Sequence, residues 1–207
     1  MKPTSNWMTQ EQFILLLAAI PRLKIRKWKD DDVRMLFKIC YWLALRIGEG
    51  LRLSVDDFDL DLMYVYLGKT KTTYNDKRII PVAFIPELKS YLHTRSGDLF
   101  HGMKYDSVYG WLIRLGKMLD IKALTTKQSE SKEKTKTHIF RKSRGKDMYF
   151  GTLTGHRADI IDVSDRLGHK GKGRLNSTMV YLQLGEEGVR NYDEEEARLL
   201  NSETTDS

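Results

Sequence analysis

The chain has 207 residues, 41% of them hydrophobic and 30% charged, with a formal net charge of +7. These values fit one soluble globular domain with a single good core, and no apolar run approaches the roughly 18 residues that a membrane helix needs. The charge is unevenly divided: residues 185–207 hold eight acidic residues and two arginines, a net of −6, which leaves +13 on residues 1–184. A polyanion is the natural partner of such a body, and neutralising phosphates would make its binding steeply salt-dependent. The single cysteine, Cys40, sits in the apolar run Ile39-Cys40-Tyr41-Trp42-Leu43 and reads as a buried small hydrophobe. It excludes an internal disulfide, and no Cys/His cluster has zinc spacing, so a reducing, cytoplasmic setting without metal or other cofactor is expected.

Taken in order, residues 9–20 are expected to form the first helix, capped by Thr9 and ended by Pro21. Its apolar run, residues 13–20, follows a helix-start pattern and an acidic residue, Glu11, so it reads as a core helix and not as a signal peptide. Asp30, Asp31 and Asp32 then suit the N-terminus of a second helix, by capping and by the macrodipole. That helix is expected to run through Val33, Leu36, Phe37, Cys40 and Leu43 or Ala44, with Arg46 and Glu49 at its end. A plain surface salt bridge between Arg46 and Glu49 is the competing reading for those two residues.

Residues 63–67 and 78–82 read as strands of a hairpin joined by a long cationic loop, residues 68–77, that contains Lys69 and Lys71. A further strand is expected near residues 55–60 or 137–139. Residues 86–94 and 107–119 read as helices, the latter burying Trp111, Leu112, Leu115 and Leu119. Residues 122–137 have the composition of a mobile loop, either a solvated linker or a segment that tracks a nucleic-acid backbone. A helical region then starts at His138, breaks within residues 148–155 and resumes over residues 160–167. The acidic tail holds enough apolar residues, Val189, Tyr192, Ala197, Leu199 and Leu200, for a short amphipathic helix. The fold class expected is α+β, mainly α with a small antiparallel β-sheet.

Most of the functional signal lies between His138 and Tyr181. The stretch reads His138-Ile139-Phe140-Arg141, then Leu167-Gly168-His169, then Thr178-Met179-Val180-Tyr181. On a helix, His138 and Arg141 project from one face and can reach the same anionic atom. With Arg46 upstream, the order Arg, Lys, His-x-x-Arg, Leu-Gly-His, Tyr resembles the tyrosine recombinase or phage integrase family, and the likeness runs from about Met8 to about Leu184.

The resemblance implies the integrase catalytic-domain fold over residues 1–184, with Trp7 to Gln12 as the lead-in helix and no N-terminal DNA-clamping domain in this chain. Residues 185–207 would be an acidic tail that docks on a neighbouring subunit, packs on its own domain or stays disordered. The family pattern Gly-x-Arg-x-x-Glu is met at Arg46 and Glu49 except that Ala44 replaces the glycine. A lysine in the hairpin turn serves the family as an acid; Lys69 matches it best and Lys71 competes. His156 is a rival to His169, and Tyr192 to Tyr181.

The implied chemistry is cleavage and rejoining of DNA through a 3′-phosphotyrosine, without metal or ATP. A free phenol has a pKa near 10, so only about one in a thousand is ionised at neutral pH and Tyr181 needs help to attack. Arg46 and Arg141 would clamp the two non-bridging oxygens. His138 would hold the phosphate or accept the tyrosine proton, and His169 would donate to a non-bridging oxygen. Lys69 would protonate the leaving 5′ oxygen, a contribution of roughly 100- to 10,000-fold. Double-stranded DNA is the implied partner and a homotetramer on two DNA sites the implied assembly. From His169 to Tyr181 the chain is about three residues longer than the family spacing, a glycine-rich and cationic insertion expected to loosen the placement of Tyr181. A type IB topoisomerase and an inactive DNA-binding module with the same fold are the alternative readings.

Overall fold

Thr9 opens the first helix as its sequence foretells: its Oγ1 accepts the Gln12 N–H at 3.2 Å and its own N–H donates to Gln12 Oε1 at 3.1 Å. The structure is a computed structural model that describes residues 7–68, 76–125, 138–169 and 171–182. Helix α1 spans Gln10–Ala19 and buries Phe13, Leu16 and Leu17 while Ile14 and Leu15 face outward. Pro21 does not end it alone; the chain tightens into a 3-10 turn, Ile20–Leu23, and leaves through a left-handed Lys24.

Helix α2, Asp30–Trp42, begins as expected, but none of its three leading carboxylates caps it. Asp31 pairs with Arg34, and Asp32 accepts from Arg95 at 2.6 Å and Tyr91 at 2.9 Å. Their help to this helix is therefore through the dipole and cross-links to its neighbours. The helix also stops earlier than its apolar spacing indicates. Leu45 N–H bonds back to Cys40 O at 2.8 Å and Ala44 N–H to Tyr41 O at 3.1 Å, which closes a Schellman turn with Ala44 at φ 52°. Arg46 and Glu49 thus belong to a separate one-turn helix, α3, Ile47–Gly50, of which Arg46 is the N-cap residue.

Strands β1 (Phe58–Asp59), β2 (Tyr64–Tyr66) and β3 (Lys77–Ile79) form an antiparallel sheet in that order, with Val65 opposite both Phe58 and Arg78. The strands are shorter than expected, and the extra one comes from residues 55–60; Ile139 instead starts a helix. Helices α4 (Ile85–His93) and α5 (Tyr105–Met118) lie where the periodicity puts them. Residues 122–125, expected in a loop, form the one-turn helix α6, Lys122–Thr125. Its Leu124 is fully buried against Gly116, so a single apolar side chain overrides the polar composition around it. Residues 126–137 and the acidic tail lie outside the described residues.

Helix α7 (Ile139–Phe150) ends in a left-handed Gly151, so the expected break falls slightly later, and α8 (Ile160–Leu167) and α9 (Arg174–Leu182) follow. Helix α7 packs on α2 with one side and on α8 and α9 with another. Ser143 ties it to the start of the chain, accepting Met8 N–H at 2.9 Å and donating to Ile139 O at 2.8 Å. Lower down, Asp147 accepts from Tyr41 on α2 and, at 2.7 Å, from Thr152. At Gly145 the helices come close: a Cβ there would lie 2.9 Å from Leu182 and 3.3 Å from Leu167. Ala44, Val163, Leu167 and Leu182 form a small second core beneath this junction. No helix among the described residues is long and apolar enough to cross a membrane.

Ala44 offers a test of the early turn. Its methyl is fully buried, so Ala44→Gly trades relief of a left-handed alanine, about 1 kcal/mol, for a lost buried methyl and added unfolded-state freedom of about the same size. Denaturant unfolding should place that variant within about 1 kcal/mol of the parent, and Ala44→Val, branched and overpacked, about 2 kcal/mol or more below it.

Candidate active site

Glu49 is where the site is assembled. This carboxylate is 7% exposed and has a cation on each side. Its Oε1 takes Arg46 Nη1 at 2.7 Å, its Oε2 takes Arg46 N–H at 2.8 Å, and Arg141 Nη1 stands 3.6 Å from Oε2. Burial opposes its ionisation, but Arg141 first and then the Arg46 backbone and guanidinium outweigh it and hold the carboxyl below its ordinary range. The salt bridge that competes with a functional reading of Arg46 is therefore present, and it orients Arg46 without enclosing it: the Arg46 side chain keeps 43% of its surface open.

Arg141 is placed differently. It is 1% exposed, with Nη1 donating to Ala44 O at 3.2 Å and Nη2 to Leu167 O. Of the two arginines expected to form an open clamp, Arg46 alone presents an exposed guanidinium; Arg141 contributes charge from just behind it. His138, half-buried, is the N-cap residue of α7 and so precedes the turn that holds Arg141.

His169 follows the left-handed Gly168 that ends α8. Its ring is half-buried and its Nδ1 lies 2.8 Å from Oγ1 of Thr178 on α9. Burial, then the charges of Arg141, Arg46 and Arg78, push its pKa down from 6.5 to about 4, so the ring is neutral at pH 7. That field brings Arg46, Arg141 and His169 into one site. His156, the rival histidine, is exposed in the turn after α7, its backbone held by Thr154. Tyr181 lies on α9, three residues beyond Thr178. Its side chain, and all of Lys69, Lys71 and Tyr192, are outside what the structure describes. Among the described residues no three His, Cys, Asp or Glu side chains gather as metal ligands would.

Arg78 is the residue that sequence reasoning passed over. It is 4% exposed on β3, paired with Asp76 at 2.7 Å, and its guanidinium lies where a Cβ on Gly168 would be. The available signal was its register: Arg78 takes the inward position between outward Lys77 and Ile79, and an inward charge on a short strand demands a partner. Arg166 on α8 donates to Ile79 O, so the hairpin is fastened to α8 twice. Burial, then Arg144 and Arg78, lower the Arg166 pKa to about 10, and it stays charged at neutral pH.

No family model matches the chain. A curated relative, the tyrosine recombinase XerA of Saccharolobus solfataricus, is 27% identical over 183 residues, which cover 84% of this chain and 54% of that protein. Among solved structures, XerA recombinase matches with a TM-score of 0.60 at 17% identity, over 92% of this chain and 64% of that one. The catalytic domain of bacteriophage HP1 integrase matches with a TM-score of 0.59 at 16% identity, over 91% and 93%. This chain is a relative of the tyrosine recombinases. XerH site-specific recombinase in a post-cleavage complex with palindromic difH substrate also matches, with a TM-score of 0.61 at 20% identity, over 90% of this chain and 52% of that one. The mainly helical body with a small antiparallel sheet is thus the tyrosine recombinase catalytic-domain fold. The chain spans about half the length of the curated recombinase it matches, 54%.

Two outcomes test this geometry. Gly168→Ala places a methyl group into a buried, ion-paired Arg78 at φ 64°, and equilibrium unfolding should show a loss of roughly 2–4 kcal/mol. His169 has a folded pKa below its unfolded one, so as pH falls from 6.5 towards 4 the unfolded chain takes up a proton that the folded chain does not, and stability drops. Glu49, with its pKa lowered, stabilises above its ordinary 4.5 and loses that contribution only below it. Thermal melts of His169→Asn should therefore show a flatter pH dependence than the parent between pH 6.5 and 4.5.

Proposed function

We propose that the chain carries the catalytic domain of a site-specific DNA recombinase or integrase, which cuts and rejoins DNA through Tyr181. The observation that carries this reading is the gathering of Arg46, Arg141 and His169 around Glu49, with α9 and its Tyr181 held against His169 through Thr178. A pentavalent phosphorane gathers negative charge, and fixed cations in a partly dry site stabilise it more than water does. Arg46 is oriented and open, so it would meet a non-bridging oxygen directly; Arg141 adds its charge at short range. His138 and His169 would be hydrogen-bond partners of the reacting groups.

The Tyr181 phenolate oxygen would attack phosphorus, forming the tyrosyl phosphate ester as the bond to the 5′ oxygen breaks. The phenol proton leaves to a base, and the 5′ oxygen takes a proton, for which Lys69 is the proposed donor. The phosphodiester energy stays in the covalent intermediate, so the 5′ hydroxyl of another strand can reverse the step without ATP. Double-stranded DNA is the proposed partner, supported by the basic body of the chain and by the difH-bound XerH structure that shares its fold. A tetramer on two DNA sites is the proposed assembly.

Nicked suicide DNA carrying candidate sites, incubated with the protein in EDTA and run on a denaturing gel, should give a covalent complex. Tyr181→Phe should abolish it while retaining DNA binding, and Arg46→Ala should reduce its rate by roughly 100-fold or more. An adduct that survives Tyr181→Phe would reject Tyr181 as nucleophile, and DNA binding without any adduct in the parent would indicate a binding module.

A further inference from the structure

Thr178 is fully buried on α9, and its single hydroxyl has two close neighbours. Arg174 O lies 2.8 Å from Oγ1, and Nδ1 of His169 lies 2.8 Å from the same oxygen. A carbonyl oxygen has no proton to give, so at that distance the hydroxyl proton must lie between Oγ1 and Arg174 O. The contact to His169 can then be a hydrogen bond only if Nδ1 carries a proton and donates it to Oγ1. A neutral imidazole has one N–H, and its other nitrogen is a lone-pair acceptor.

We infer that Thr178 is a positioning residue that fixes the neutral His169 ring with its proton on Nδ1, so that His169 enters the reaction as an acceptor through Nε2 and not as a donor to the phosphate. This reverses the role that the family resemblance implies for His169, and it rests on the strand-cleavage reading for its chemical consequence. Burial and the charges of Arg141, Arg46 and Arg78 keep the ring neutral, so no second proton is available to Nε2 at pH 7. Thr178 and Tyr181 are three residues apart on one helix and share a face. The ring that Thr178 holds is therefore held on the nucleophile's side of α9. During attack the Tyr181 O–H bond breaks, the phenolic oxygen bonds to phosphorus, and the proton moves to Nε2. The resulting imidazolium lies beside the phosphorane charge, and the proton returns to the phenol when the strand is rejoined.

The test begins with long-range proton–nitrogen NMR of the full 15N-labelled chain at pH 7, with His169 assigned by its loss in His169→Asn. The expected pattern is Nδ1 protonated and Nε2 bare, preserved in Thr178→Ser and lost in Thr178→Val. A parent ring protonated on Nε2 would overturn the inference, whatever the variants do. On suicide DNA, Thr178→Val should slow adduct formation by about 10- to 100-fold, the usual size of an effect transmitted through a supporting hydrogen bond, and Thr178→Ser should stay within a few-fold of the parent. Equal slowing in both variants, or none in Thr178→Val, would also overturn it. If the parent shows the Nδ1–H ring but forms no adduct with any DNA, the strand-cleavage reading fails while the positioning role of Thr178 stands.

Discussion

The buried guanidinium of Arg141 is the constraint on which the rest of the site depends. A charge this deep is tolerated only when its donors are satisfied and an opposite charge is near, and here Ala44 O, Leu167 O and the Glu49 carboxylate meet those needs. The two carbonyls occupy equivalent places in their segments. Each lies two residues before a residue of the site, Ala44 before Arg46 and Leu167 before His169. One side chain on α7 thereby registers the α2–α3 turn against the end of α8. The left-handed Ala44 is part of the same device, because the Schellman turn that ends α2 is what brings its carbonyl round to the guanidinium.

The arrangement carries an electrostatic cost. Arg46, Arg78 and Arg141 all bear on His169, and Arg144 and Arg78 bear on Arg166. The carboxylates that answer them, Glu49 and Asp76, are themselves buried and already engaged. The cations that depress the His169 and Arg166 pKa values are uncompensated field in the ligand-free protein, and a phosphate anion would relieve it. Local rules of stability are broken at this one junction and obeyed in the main core, the pattern expected where a site is built for an anionic transition state.

Much of this was legible in the chain. The capping box at Thr9, the apolar spacing of α2, α4 and α5, the hairpin and the Leu-Gly-His turn all follow from residue types whose local preference agrees with the fold. The departures have individual causes. Alanine announces no left-handed turn, so the end of α2 was invisible where a glycine would have marked it. Leu124 nucleates a turn of helix inside polar sequence, because one buried side chain can outweigh composition. The depth of Arg141 and the place of Arg78 depend on contacts across 26 and 90 residues of chain, to Leu167 and Gly168, which no local pattern records.

The longer connection between His169 and Tyr181 bears on how firmly a nucleophile can be set. Extra residues, with Gly171 and Gly173 in left-handed turns, would be expected to let the following helix drift. Helix α9 is instead fixed on both sides of Tyr181. Before it, Thr178 is buried and bonded to His169; after it, Leu182 is buried in the second core, where the missing side chain of Gly145 lets it approach α7. Two anchors four residues apart on a nine-residue helix fix its position and its rotation about its own axis. The cost of closing a longer loop grows only slowly with length, so the insertion changes the path of the chain to α9 without changing where α9 must sit.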